Sequence, residues 1–311
     1  MPERQWPKDF KDRLTTPLPG RSHMWRILRE GGFRGDGNAV RDAALVPRGD
    51  RKLPDLKPSQ SSVTWIGHAT FLIRTGGLNI LADPVWSPKL PARSRRMTEP
   101  GLPWEDLPRI DAVVISHNHY DHQDKPTLLR LPKTTPMLVP GASATWFRAL
   151  GFTDVRELDW WESTELQGVK FDFVPSHHWS RRGLLDTCRH LWGGWIITSK
   201  EHRLYHAGDT GYGHFFTEIG KRYPRIDVAM LPIGAYAPRW FMKPVHTDPD
   251  EAIQALKDVG GKAMACMHWG TFVLTAEPLL EPLHRTRDAW AKTGRRREDL
   301  WDLGLGETRI L

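Results

Sequence analysis

With 311 residues, 39% of them hydrophobic and 26% charged, the chain reads as a soluble globular protein able to bury a large core in one big domain or two. No run approaches the ~20 apolar residues of a membrane span. The N-terminus lacks the apolar centre of a signal peptide, and two cysteines, Cys188 and Cys266, build no disulfide framework, so the expectation is a cytoplasmic protein.

A net charge of +7 leans it towards anionic partners, such as phosphate esters, nucleic acid or the inner face of a membrane. Residues 1–60 are rich in Arg, Gly, Pro and Asp and show little periodicity. They read as an arm packed on a domain spanning 61–311, with one short helix over 24–29. From Val63 alternation sharpens, and strands are expected over 63–66, 71–74 and 79–82, turning at Gly67-His68 and Gly76-Gly77. A loop over 84–108 leads to a buried strand over 110–116. A helix over 125–131, a strand over 137–139 and a helix over 143–150 follow, the last stopped by Gly151.

The second half repeats the style. A strand over 169–174 runs into His177 and His178. Strands over 191–198 and 203–206 lead to Gly208-Asp209-Thr210-Gly211, then a helix over 214–223 and an apolar strand over 228–233. Asp248 as a cap, Pro249 in the first turn and the acidic Asp250 and Glu251 open a helix that ends at Gly260-Gly261. A strand over 262–267 delivers His268, and a last helix covers 279–292. Two similar halves, each a sheet with outer helices, predict an α/β fold, a four-layer αββα sandwich.

The chemistry concentrates in His117-Asn118-His119-Tyr120-Asp121-His122, where four metal-capable side chains fall within six residues just after a strand. In extended backbone residues i and i+2 point the same way, so His117 and His119 can grip one ion. Asp121 and His122 follow where the chain turns and can reach a second. Imidazole with carboxylate suits zinc, and manganese or iron as well. His178, Asp209 and His268 stand at other strand ends. A two-metal site needs about three ligands per ion and a bridging carboxylate. The count fits two zinc ions: His117, His119 and His178 for one, Asp121, His122 and His268 for the other, Asp209 between them. Asp83 ends a strand beside the site and can hold a ligand histidine's second ring N–H. His68 either faces the metals or stands behind their ligands.

The His-X-His-X-Asp-His pattern with the later His178, Asp209 and His268 resembles the metallo-β-lactamase superfamily. Val63-Thr64-Trp65-Ile66-Gly67-His68, Asp159-Trp160-Trp161, Tyr236-Ala237-Pro238-Arg239-Trp240-Phe241-Met242 and His268-Trp269-Gly270-Thr271 narrow it. These stretches are similar to the N-acyl-phosphatidylethanolamine-hydrolysing phospholipase D family, from about Val63 to the C-terminus, roughly four-fifths of the chain. The resemblance implies a binuclear zinc phosphodiesterase of phospholipase D type, hydrolysing N-acyl-phosphatidylethanolamine-like phospholipids through a metal-bridged hydroxide. It implies His178 rather than His177 as ligand. Asp121 and His246 are then the catalytic candidates, His246 as phosphate contact or general acid.

A sugar-phosphate lactonase-like or generic phosphodiester hydrolase of the same superfamily is the alternative. The expected partners are a phospholipid or other phosphodiester, a peripheral membrane contact and a second copy in a homodimer; nucleic acid is not expected. Arg93, Arg95, Arg96, Arg181, Arg182 and Arg239 are candidates to ring an anionic substrate. No amphipathic helix with a large apolar face stands out, so docking is expected through Arg and Trp and should be salt-sensitive.

Overall fold

A computed structural model describes residues 4–33, 37–91 and 94–311. One sheet contains β1 (Ser62–Gly67), β2 (Thr70–Thr75), β3 (Leu78–Ala82), β4 (Ala112–Val114), β5 (Met137–Pro140) and β6 (Val155–Leu158), with β14 (Thr308–Ile310) on its β1 edge. The other contains β7 (Ser163–Leu166), β8 (Val169–Val174), β9 (Gly194–Thr198), β10 (Arg203–His206), β11 (Val228–Pro232), β12 (Ala263–Met267) and β13 (Leu300–Trp301), side by side in chain order. In each sheet antiparallel strands give way to parallel ones, β3 to β6 and β10 to β13.

Alternation along β2 shows why two sheets stack. Phe71 and Ile73 join the core between the sheets with Phe171, Phe173 and Trp195. Leu72 points the other way, to an outer cluster with Val113, Ile115, Leu128 and Phe147. Leu128 and Phe147 come from α3 (Lys125–Leu129) and α4 (Ala144–Ala149), which therefore cover the first sheet. On the second sheet α7 (Pro249–Asp258) packs on β11 and β12, flanked by α5 (Phe215–Arg222) and α8 (Glu281–Ala291). Strands buried on both faces read as continuous apolar runs. The layers are helix, sheet, sheet, helix, as expected. Asp248 caps α7, its carboxylate accepting the Glu251 N–H at 3.0 Å.

Several elements escaped the sequence reading. β6 and β7 carry mostly charged or hydroxyl side chains with no period-two alternation and are only half-buried, β13 has two residues, and α2 (Ala39–Ala43) and α6 (Arg239–Met242) are one turn each. The ladder of β4 spans three residues, shorter than the apolar run over 110–116.

The N-terminal segment is pinned at both ends. Phe10 is fully buried and its N–H donates to the Cys188 carbonyl; Trp6 donates to Glu157, and Arg4 and Arg13 pair with Glu162 and Asp159. Further on, α1 (Arg21–Arg29) lies against α6: Arg26 covers the Trp240 ring at 3.9 Å, and Trp240 donates to Glu30. No helix among the described residues is long and apolar enough to cross a membrane.

Candidate metal centre

The C-terminal ends of β3, β4, β8, β10 and β12 open on one edge, and each delivers a polar residue there: Asp83, the 117–122 loop, His178, Asp209 and His268. The β1–β2 turn adds His68. Three of these residues, His68, Asp83 and His268, have left-handed backbones with φ of 55°, 42° and 63°. Such conformations cost non-glycine residues about 1–3 kcal/mol and tend to gather at functional sites. Here hydrogen bonds hold them. The His68 N–H donates to Thr271 Oγ1 at 2.7 Å, and the His268 N–H to the His68 carbonyl at 3.0 Å. Gly208 is required just before Asp209. Its φ is +62°, and a Cβ there would stand 2.6 Å from that of Ser116.

The donor atoms form two adjoining groups of four and a smaller one that overlaps them. His117, His119, His178 and Asp209 make the first; His68, Asp121, His122 and His268 make the second; Asp209 and His268 meet His246 in the third. His119 Nδ1 is 2.8 Å from His117 Nε2 and 3.2 Å from His178 Nε2. Asp209 Oδ2 lies between the groups, 3.2 Å from His122 Nε2 and 3.1 Å from His268 Nε2, and 3.9 and 3.8 Å from the Nε2 atoms of His117 and His178. The seven residues expected as ligands are thus brought together. His177 is not among them; its ring faces Gly213 and Phe215.

Other contacts set the tautomers. His178 presents Nδ1 to the Val245 carbonyl at 3.0 Å, and His122 presents Nδ1 to Asp83 Oδ2 at 2.7 Å, which frees Nε2 in both. Asp83 also accepts the Ser116 N–H at 2.7 Å and its hydroxyl at 2.6 Å. His68 Nε2 meets Asp121 Oδ2 at 2.9 Å. Asp83 thus holds the far nitrogen of His122, while His68 both touches the Asp121 carboxylate and offers a donor atom to the second group.

The electrostatics call for cations. Burial raises Asp209, but His122, His268 and His246 outweigh it and hold the carboxyl well below its ordinary range. Burial likewise raises Asp121, and His122, His268 and His68 pull it well below. Conversely, burial lowers His122, while Asp209, Asp121 and Asp83 push it well above normal. For His268 the same opposition ends at about 9. On their own the carboxylates take their positive charge from these two imidazoles. His122 Nε2, His268 Nε2 and Asp209 Oδ1 are buried without hydrogen-bond partners. Orphaned nitrogens facing a carboxylate in a set of imidazole and carboxylate donors fit divalent transition metals.

Above the cluster lies a cavity of about 690 Å³. Leu14, Leu18, Met24 and Phe33 of the N-terminal segment form one wall; Trp179, Phe241, Met242 and Val245 form others. His246 also lines it, its Nδ1 buried and unpartnered. The sequence reading missed these arm residues, and also Ser116, whose place directly before His117 was the available signal.

The arginines divide. Arg181 lines the cavity. Arg96 is spent on the Val85 and Ser87 carbonyls, Arg182 on those of Asn118 and Gln123, and Arg239 on Asp248 and Glu251. Arg95 lies in the 84–108 loop, outside the cavity lining. Arg93 lies outside the described residues. The guanidinium groups of Arg96, Arg182 and Arg239 are thus occupied in holding loops together, which leaves Arg181, among the described ones, to face the cavity.

The family model described as beta-lactamase superfamily domain matches residues 78–269. The chain belongs to the β-lactamase superfamily. Within this superfamily it is 38% identical over 257 residues, 77% of this chain and 71% of the other, to N-acyl-phosphatidylethanolamine-hydrolyzing phospholipase D 1 of Caenorhabditis elegans. It is 36% identical over 231 residues to the mitochondrial N-acyl-phosphatidylethanolamine-hydrolyzing phospholipase D of Saccharomyces cerevisiae, covering 70% of this chain and 49% of the yeast protein. Its fold is shared with a protein from Veillonella parvula described as a possible metal-dependent hydrolase, at a TM-score of 0.68 and 21% identity over 80% of this chain and 99% of that one. Family, relatives and donor set together make this a metal-dependent hydrolase of metallo-β-lactamase fold.

Proposed function

We propose that the protein is a phosphodiesterase of phospholipase D type that hydrolyses N-acyl-phosphatidylethanolamine-like phospholipids. The observation that carries this reading is the apolar-walled cavity of about 690 Å³ opening directly onto the paired donor groups, a shape suited to acyl chains beside a reacting phosphate. The names of the worm and yeast relatives support the same substrate.

His117, His119 and His178 would hold one zinc ion, Asp121, His122 and His268 a second, with Asp209 shared. When bound, such ions lower the pKa of water towards neutrality and stabilise charge on phosphoryl oxygens. The chain's own residues do the rest. Asp83 and the Val245 carbonyl fix imidazole tautomers, and His68 steadies Asp121, which orients the attacking water. His246 contacts the phosphoryl group or passes a proton to the departing alcohol. The apolar walls exclude water from the lipid and place its phosphate. In this reading residues 61–311 form the hydrolase domain, and the 1–60 arm completes its lipid cavity.

Membrane contact belongs to the same proposal, and α1 changes its form. Trp25 and Leu28 are 74% and 66% exposed, beside the half-exposed Met24. These three sit at i, i+1 and i+4, so one face of a basic helix is apolar. The sequence places a short helix over 24–29 but shows no large apolar face on it, because the run is short and interrupted by Arg26 and Arg29. Since α1 and the preceding segment border the cavity, the exposed apolar face lies where a lipid would enter.

The experiment is a turnover comparison on zinc- and manganese-loaded protein with N-acyl-phosphatidylethanolamine in mixed vesicles, bis-p-nitrophenyl phosphate, a sugar-phosphate lactone and a β-lactam. Cleavage of the phospholipid between phosphate and ethanolamine is expected. Cleavage of the soluble diester with no attack on phospholipid in any vesicle composition would replace the proposal with a generic phosphodiesterase.

A further inference from the structure

The metal loop has a back as well as a front. His117, His119 and Asp121 contribute donor atoms to the metal cluster, while the intervening Asn118 and Tyr120 line a separate cleft of about 410 Å³. The loop after His178 is shared in the same way. Trp179 and Arg181 face the catalytic cavity; Arg182 and Asp186 face the rear cleft. Arg182 joins the two loops, Nη1 donating to the carbonyls of Asn118 at 3.0 Å and Gln123 at 2.6 Å. The Tyr120 hydroxyl returns a hydrogen bond to the Arg182 carbonyl at 2.8 Å, and the guanidinium lies 4.2 Å from the Tyr120 ring. The cleft walls are thus held independently of anything inside.

Two buried amides with unpartnered atoms line this cleft. Asn118 is 1% exposed, and neither its Oδ1 nor its Nδ2 has a partner; Gln123 is 2% exposed, and its Oε1 has none. Such atoms are unfavourable if left unmet. The surrounding groups say what would meet them. Lys125, Ser143 and His190, which can offer an ammonium, a hydroxyl and an imidazole, also line the cleft. The Asp186 carboxylate is taken up by the N–H groups of Arg182 and Gly183, so Lys125 and Arg182 leave the balance positive. Asn118 Nδ2 and Lys125 ask for an anionic acceptor, whereas the Asn118 and Gln123 oxygens ask for hydroxyl donors.

We propose that the rear cleft is a second binding site, for a small hydroxylated anion such as a polyol phosphate or a hydroxy acid. Its volume suits a molecule of that size. The proposal does not depend on the phospholipase reading.

The test is calorimetric titration of the zinc-loaded full chain with sn-glycerol 3-phosphate, D-glycerate, inorganic phosphate and glycerol. Because the metal centre also attracts anions, each titration is repeated with Lys125→Met, which alters an exposed side chain and leaves the core intact, and with His246→Ala on the catalytic side. The two hydroxylated anions should bind saturably and more tightly than phosphate or glycerol. Lys125→Met should weaken them about ten-fold or more, the size of a charge-assisted hydrogen bond, and His246→Ala should leave them unchanged. Binding that survives Lys125→Met but is lost in His246→Ala would assign the anion to the metal centre and overturn the proposal. So would no saturable binding by any of the four, which would leave the amides to water alone.

Discussion

Asp209 carries the electrostatic burden of the site. It is fully buried, touches both donor groups, and remains ionised only because histidines outweigh its desolvation. Asp209→Asn keeps the volume and removes the charge. Turnover should fall by about 10²-fold or more, as when other major electrostatic elements are removed, and elemental analysis should show one ion bound more weakly. Unchanged turnover at full metal occupancy would place the bridge on another residue. Asp83 acts at one remove, through its 2.7 Å contact with His122 Nδ1. Asp83→Ala should lower metal affinity by about 10–100-fold, read by competition with a chromogenic chelator. The conservative Asp83→Glu should restore part of that loss, which a merely volumetric role would not produce.

At the scale of elements, the N-terminal segment is the part whose role the structure changes most. Phe10 anchors it in the core between layers, and deleting a buried phenylalanine side chain costs about 3–5 kcal/mol where the site cannot collapse. Phe10→Ala should therefore shift the urea midpoint markedly. The exposed end of the segment behaves differently, because Trp25 and Leu28 bury little of their surface. The double substitution Trp25→Ala, Leu28→Ala should leave the urea midpoint and soluble-diester hydrolysis as they were, while turnover of vesicle-bound phospholipid drops several-fold. Equal loss on both substrates would show that α1 acts on the site rather than on the lipid surface.

For the whole molecule, two properties follow from one architecture. The two sheets bring their strand ends to a common edge, so the centre is assembled from both halves, and metal occupancy ties them together. If the two donor groups each hold an ion, zinc content should plateau near two per chain, and chelation should lower the melting temperature through lost binding energy. A plateau at one would leave a single-ion site. The basic balance of +7 acts at longer range. Phospholipid turnover should rise with the anionic lipid fraction and fall with added salt, over which the Debye length shrinks from about 10 Å at 0.1 M to about 3 Å at 1 M. The soluble diester should respond much less.

What the sequence determined by itself was local. Period-two alternation around Phe71–Ile73, the Asp248–Pro249 helix start and the spacing of the 117–122 hexad each express physics that acts within a few residues, and each is legible in the sequence alone. Strand ends could be read too, so His178, Asp209 and His268 stood out as candidates. Chain contacts over longer distances were not legible. Which of His177 and His178 turns inward depends on the Val245 carbonyl, 67 positions after His178, and whether Asp83 supports a ligand depends on Ser116, 33 positions on. The half-buried β6 and β7 have too few apolar side chains to announce themselves, and are made strands by neighbours already in place. The arm showed no periodicity because its partners, Cys188, Glu157 and Trp240, lie on distant segments. Only the tertiary structure could decide that it walls the catalytic cavity, since that contact is made by packing between remote parts of the chain and leaves no repeat in either.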